Sequence, residues 1–164
     1  MVIAVFGLTL VTPVFAKQER KEAREAFKTS LTQTREEYKQ KLAQIKDERK
    51  KVLLEKFNEQ VAELNARRTS EMAKNLEQIT TVLNRFLAKG SVSDVGAAKL
   101  AIEEAKQAVS AQAAKVYVIS ISDESKLRED ANKVKSQLQS DLKAVQEKVK
   151  AARMAVYEVV KGGI

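Results

Sequence analysis

The sequence predicts an all-α fold, and three observations lead to that class. Ala, Lys, Glu, Gln and Leu are abundant, and these residues favour helices. No Gly or Pro occurs between Lys17 and Lys89, so nothing in that stretch breaks a helix. Apolar residues recur through it at steps of three and four. We therefore expect a long helix followed by two shorter antiparallel helices, forming a three-helix bundle or helical hairpin with a projecting N-terminal arm.

Residues 1–16 are predicted to be an export signal. An uncharged run extends from Val2 to Ala16, which is shorter than the about 20 residues that a membrane-spanning helix needs. Small residues before Lys17 suit cleavage at that point. No Lys or Arg precedes the run, so either the start codon lies upstream or the amino terminus supplies the positive charge. An uncleaved short membrane anchor and a buried core segment are the alternatives. We expect an exported protein, membrane-tethered if the segment is retained.

The first long helix carries one apolar stripe. Its mean step is about 3.7 residues, closer to an 11-residue repeat than to a heptad. We therefore expect a straight or weakly right-twisted helix and not a strict heptad coiled coil. The stripe is apolar except at Thr34, Arg49 and Arg68, and it occupies positions 27, 31, 34, 38, 42, 45, 49, 53, 57, 61, 64, 68, 72, 76, 79, 83 and 86.

Two breaks are predicted after this helix. Gly90 suits a left-handed helix cap, which places the first break near 90–93. The second lies near 117–122, where β-branched residues are dense and Val116, Val118 and Ser120 alternate with Tyr117, Ile119 and Ile121. We interpret that segment as an extended connector, with a continued helix or an oligomer-pairing strand as alternatives. Ser122 is predicted to begin the third helix, which runs to about Lys161.

The helix lengths predict apolar surface that the chain itself leaves uncovered. Antiparallel packing across the first turn places Arg68 opposite about residue 115, where the second helix ends. We therefore assign 17–57 to a projecting helical arm, 58–161 to the antiparallel bundle and 162–164 to a flexible tail. The last turns of the third helix are left over as well. The arm either frays or packs against a second copy or a partner helix, since burying each large apolar side chain contributes about 1.5–3 kcal/mol. The partner-helix stripe consists of Phe27, Leu31, Tyr38, Leu42, Ile45, Leu53 and Phe57.

Arg68 interrupts the stripe at the level where the second helix is predicted to end. Its guanidinium would reach carbonyls that lack helical partners, while its stem lies along the apolar seam. We predict a structural capping role for Arg68. A solvated or acid-paired arginine and a ligand-binding arginine are the alternatives.

The composition argues against catalysis. The chain has neither Cys nor His, which removes thiolate chemistry and the commonest general base and transition-metal ligand. Adjacent acidic residues on a helix point about 100° apart, so such pairs share no face for a proton or a metal. We predict no enzyme, no catalytic, cofactor-binding or metal-binding residue, and no cofactor. The net charge is +8, but the signs are interleaved. We expect no specific nucleic acid, and only a weak, salt-dependent contact with anionic polymers or lipid headgroups.

Several segments resemble a family of uncharacterised small exported all-helical proteins from uncultured bacterial lineages. The most specific are LNARRT and AQAAK followed two residues later by Tyr, and the others are ERKKVLLEKFNEQV, ITTVLNRF and DLKAVQEKVKAARMAVYE. The resemblance covers most of residues 45–160 and implies no known activity. In composition the chain also resembles trimeric periplasmic holdase chaperones, although those need a β-stranded hub.

These observations predict a structural or interaction protein of the bacterial cell envelope, acting as a helical spacer, scaffold or adaptor without catalytic activity. A periplasmic holdase-type chaperone and a binder of anionic envelope polymers or lipid surfaces are the alternatives. A homo-oligomer or a partner helix is expected to cover the arm.

Overall fold

The computed structural model describes residues 13–90 and 95–162. Within these residues the protein is all-α and contains no strand, which confirms the predicted class. The helices are α1 (Pro13–Gln44), α2 (Glu48–Ala88), α3 (Gly96–Ala114) and α4 (Leu127–Gly162). Most of the predicted export signal lies outside the described residues, as do most of the predicted first break and the end of the predicted tail. Gly90 has a φ of 69°, as the sequence predicts for a left-handed cap.

The predicted long helix is two helices, and this corrects the sequence interpretation. Residues 45–47 separate α1 from α2, and Asp47 caps α2 by accepting hydrogen bonds from the backbone N–H groups two and three residues later (2.9 and 3.4 Å). α1 does not continue the α2 axis, because Tyr38 lies beside Asn58, which a straight helix would place about 30 Å away. The bend buries Ile45, of which 4% is exposed. Burial of that side chain and the Asp47 cap together favour the break over a continuous helix.

α2, α3 and α4 pack against one another pairwise. Alanines of α3 allow close approach, since Ala98 and Ala105 are completely buried. The end of α4 is covered too: Val156 is 4% exposed and packs in the same cluster as the end of α2. The expectation of an uncovered α4 end is therefore wrong. The buried cluster that the three helices share consists of Met72, Leu76, Leu83, Ala98, Ile102, Ala105, Val109, Val145, Val149, Ala152 and Val156.

Residues 115–123 form neither helix nor strand, and they connect α3 to α4. Tyr117, Ile119 and Ile121 are buried in alternation with more exposed residues, as in an extended segment. The predicted extended connector is confirmed. An extended chain advances about 3.3 Å per residue against about 1.5 Å in a helix, so the connector reaches far beyond the end of α3. It packs on Leu54 and covers α2 residues that the sequence interpretation left for a partner.

α4 begins at Leu127, later than the predicted start at Ser122. The Ser122 backbone N–H and hydroxyl both donate to the Asp130 carboxylate, at 2.9 and 2.7 Å. Asp123 accepts a hydrogen bond from the Ser125 backbone N–H (2.7 Å), which closes a turn before the helix. The residues predicted as the first helical turn instead form this turn.

The residues of the predicted partner-helix stripe differ in exposure: some are buried or half-buried and one is exposed. Ile45 is buried, while Leu53 is 65% exposed and its neighbour Leu54 is 5% exposed. At this point of α2 the inward-facing position lies one residue later than predicted, whereas the predicted positions 61, 72, 76 and 83 are buried. Four further stripe residues have described side chains, and all are half-buried: Leu31, Tyr38, Leu42 and Phe57. The Phe27 side chain lies outside the described part of the structure.

Candidate functional site

A buried polar network lies where α3 ends. Asn65 on α2 is 3% exposed, and Gln112 on α3 is 1% exposed. The Asn65 amide donates to the backbone carbonyls of Gln112 (3.0 Å) and Lys115 (3.2 Å) at this helix terminus, and the Gln112 carbonyl also accepts from the Lys115 backbone N–H (3.1 Å). The Gln112 amide donates to Asn65 Oδ1 (3.0 Å). These bonds hold the end of α3 against α2. They also pair polar groups whose burial without a partner would destabilise the fold.

The capping role predicted for Arg68 belongs to Asn65. Arg68 is exposed, and its guanidinium donates to the Glu71 carboxylate (3.2 Å) on the same helix. The predicted level of the contact was close, since Asn65 lies less than one turn before Arg68 on α2. The side chain was wrong because the buried face of α2 differs from the predicted stripe in this region. Arg68 therefore corresponds to the acid-paired alternative.

Tyr117 and Asp141 extend the network to the connector and α4. The Tyr117 hydroxyl donates to Asp141 Oδ2 (2.6 Å) and accepts from the Gln112 amide (2.7 Å). Lys115 and Gln137 donate to the same carboxylate, each at 2.9 Å. The connector and α4 thus meet at one carboxylate, and Tyr117 links it to Gln112 of α3.

Burial and hydrogen bonding shift the protonation equilibria of this pair. Burial, followed by the hydrogen bond to Asp141, raises the pKa of Tyr117 to about 12. Burial alone would raise the pKa of Asp141, but hydrogen bonds from Lys115 and Tyr117 outweigh it and hold that pKa below its ordinary value. Near neutral pH the phenol is a donor and the carboxylate an acceptor. This arrangement suits the anchoring of the connector.

A second polar contact fastens the other end of the connector. Asp130 is 5% exposed, and its hydrogen bonds from the Ser122 side chain and backbone hold its pKa below the ordinary value. The Lys50 ammonium lies 3.0 Å from the Glu124 carboxylate, joining the start of α2 to the turn that follows the connector. Both contacts join neighbouring segments of the fold, and we assign them a structural role.

Sequence reasoning missed Asn65, Gln112 and Asp141. The available signal was spacing: Asn65 and Thr69 are separated by four residues and continue the row of buried positions from Val61 to Met72. Polar residues at such positions interrupt an apolar pattern, so a search for apolar repeats passes over them. Asp141 gave no signal of this kind, because its partners come from a distant connector.

An open groove lies between α2 and α4. Its volume is about 790 Å³. Ile79, Val149, Val156 and Val160 contribute apolar lining, and Tyr157, 55% exposed, stands at its edge. An apolar groove between two helices can accept a third helix.

Comparisons with protein-family models, curated proteins and solved structures give no match. Within residues 13–90 and 95–162, no helix has the length and apolar character needed to cross a membrane. The same residues contain no cluster of three or more acidic side chains arranged to hold a metal ion.

Proposed function

We propose that this chain is a structural or interaction protein of the bacterial cell envelope, a helical spacer, scaffold or adaptor without catalytic activity. The observation that carries the proposal is the α2/α4 groove, an apolar surface between two long helices that the described chain leaves open. Val82 (42% exposed) and Tyr157 (55%) line this groove and are exposed. An apolar groove with exposed apolar side chains is typical of a protein contact.

The arrangement proposed for this role is a three-helix bundle with an arm. α2, α3 and α4 share one core, which supports their acting as a rigid unit. Between residues 28 and 37 every side chain is exposed except the half-buried Leu31, which supports α1 as the arm. Leu31 and Leu53 offer apolar surface for a second copy or a partner helix. Export, with membrane tethering if residues 1–16 are retained, remains part of the proposal.

The test is capture of partners by the protein, starting at Lys17, from an envelope extract, with its native mass measured in parallel. The proposal expects either a specific partner or a mass above that of the monomer. Loss of that interaction in Leu53→Ala, with the helical signal unchanged, would assign it to the arm stripe. A monomer that captures nothing, or one that suppresses aggregation of unfolded clients like a holdase, contradicts the proposal.

A second candidate function is binding of anionic polymers or lipid headgroups. The net charge of +8 favours it. Such binding weakens steeply as salt is added, because it depends on exposed cations. Binding to anionic vesicles that does not change with salt concentration would reject this candidate.

A further inference from the structure

The groove between α2 and α4 has the dimensions of a helix-binding site. Its lining extends from Gln146 to Val160 on α4, which corresponds to about 20 Å or four helical turns. α2 lines the other side from Asn75 to Val82, and a second, adjoining groove continues to Lys89. An amphipathic helix of about 14 residues matches this length.

The groove has an apolar floor and apolar edges. Val149 (8% exposed) and Val156 (4%) belong to the core and also form part of the floor. Val82 and Tyr157 are 42% and 55% exposed and stand at the edges. A helix seated between them would bury these two side chains and extend the existing core by one more helix.

The charges around the groove are mainly positive. Lys150 and Arg153 line it from α4, and Arg85 and Lys89 line its continuation along α2. Among the described lining residues of both grooves the one acid is Glu147, and Lys150 already pairs with it at 3.8 Å. The cations on the α4 side of the groove and those on its continuation along α2 favour an occupant that presents carboxylates beside an apolar stripe.

Charge also decides between possible occupants. A second copy of this chain has a net charge of +8 and would bring further cations to a cationic groove. A different groove, between α2 and α3, has no comparable excess of positive charge, because the charges of Glu77 and Lys106 cancel there. Small residues such as Ala73 and Ser110 line it. An acidic partner is favoured over self-association at the α2/α4 groove.

We infer that the α2/α4 groove binds an acidic amphipathic helix of a partner protein, about four turns long. Its apolar face would contact Ile79, Val82 and Tyr157, and its carboxylates would face Arg153 and the cations of α2. This inference rests on the proposed interaction function and specifies the chemistry of the partner.

The test uses the full chain and three labelled peptides of about 16 residues, the first with leucines at helical spacing on one face and glutamates elsewhere. The second carries lysines in place of the glutamates, and the third is a scrambled version of the acidic peptide. Fluorescence anisotropy should show that the acidic amphipathic peptide binds at least about tenfold more tightly than either control.

Protein variants then test whether the peptide binds in the α2/α4 groove. Arg153→Glu should weaken binding by about tenfold, because it reverses a charge at the groove. Arg128→Glu is the matched control, since it makes the same charge change at the far end of α4. Tyr157→Ser should also weaken binding, and circular dichroism should show that this exposed substitution leaves the helices intact.

Several results would overturn the inference. Equal binding of the scrambled peptide would show charge attraction without a helix site, and equal effects of both arginine variants would place binding elsewhere. Tighter binding of anionic vesicles than of the peptide, with the same dependence on Arg153 and Tyr157, would assign the groove to a membrane surface. If no peptide binds while the envelope capture succeeds through Leu53, this inference fails and the proposed function stands.

Discussion

At the scale of single residues, Asn65 and its partners determine how the helices meet. The Asn65 amide satisfies two carbonyls at the end of α3, and the Gln112 amide links this pair to Tyr117. A buried amide stabilises a structure only when its donors and acceptor are paired, and here hydrogen bonds occupy both ends of the Asn65 amide. The network therefore fixes the register between α2 and α3 through polar contacts within an otherwise apolar seam.

Substitutions at Asn65 and Arg68 should separate the observed cap from the predicted one. Asn65→Ala removes the hydrogen bonds to the Gln112 and Lys115 carbonyls and the one from the Gln112 amide, so we expect unfolding free energy to fall by about 1–3 kcal/mol. Arg68→Leu removes an exposed ion pair within one helix, and its effect should stay within about 0.5 kcal/mol. Urea denaturation of both variants and of wild type measures these changes in unfolding free energy. A larger loss for Arg68→Leu than for Asn65→Ala would restore the original prediction.

Tyr117 should make stability decrease at alkaline pH. Its folded-state pKa of about 12 exceeds the ordinary value of 10.0, so the unfolded chain loses the proton first as pH rises. The stabilisation by the Tyr117 hydroxyl is complete below about pH 10 and is lost as the pH rises to about 12. Tyr117→Phe should therefore be less stable than wild type by about 1–3 kcal/mol at neutral pH.

The measurement is the difference in unfolding free energy between wild type and Tyr117→Phe as a function of pH. Lysines also titrate in this range, but they are common to both proteins, so their effect largely cancels. We expect the difference in unfolding free energy to narrow between about pH 10 and about pH 12. Ultraviolet titration should show that the tyrosine with the highest pKa is absent from the variant. A constant difference across this range would contradict the role assigned to the hydroxyl.

At the scale of elements, the connector explains why α2 and α4 can be so much longer than α3. α2 has 41 residues and α4 has 36, whereas α3 has 19. The extended residues after α3 cover the part of α2 that α3 does not reach, with Ile119 (1% exposed) and Ile121 (6%) packed on it. One segment without regular hydrogen bonding thereby completes the buried face of a long helix.

Leu53 and Leu54 provide an internal test of the α2 register. Leu54 packs under the connector, so Leu54→Ala should decrease unfolding free energy by about 2–5 kcal/mol. Leu53 is 65% exposed, and Leu53→Ala should change the unfolding free energy by no more than about 0.5 kcal/mol. Chemical denaturation at low protein concentration measures the difference. Equal losses would place both side chains in the core and contradict the observed register.

The sequence predicted the element types better than the contacts between them. Periodicity and the absence of breakers indicated helices, and the alternating residues near Ile119 indicated an extended segment. The bend at Asp47 was missed because its causes are a local cap and burial of Ile45 by a connector more than 70 residues away. The polar network was missed for the same reason, since Asp141 acquires its role from partners that only folding brings close.

At the scale of the whole molecule, the core consists of three buried clusters, and two of these parts differ clearly in construction. One part contains side chains of α2, α3 and α4, and it includes fully buried Ala98 and Ala152. The other combines the end of α1, the start of α2, the connector and the start of α4 around Ile45 and Ile119. The second part depends on an isolated connector and a helix end, so we expect it to open at lower free energy than the first.

Hydrogen exchange measured over a range of protein concentrations should reveal whether the arm has a partner. The side chains of residues 28–37 are exposed except for the half-buried Leu31, so in a monomer their amides should exchange at low opening free energy. Amides near Ile102, which is 3% exposed, should exchange only with global unfolding. If the arm packs against a second copy, protection in 28–37 increases with concentration while protection near Ile102 does not. Leu31→Ser should remove that increase, because it deletes apolar surface that association would bury. Full protection of 28–37 at the lowest concentration, or none at the highest, would contradict self-association through the arm.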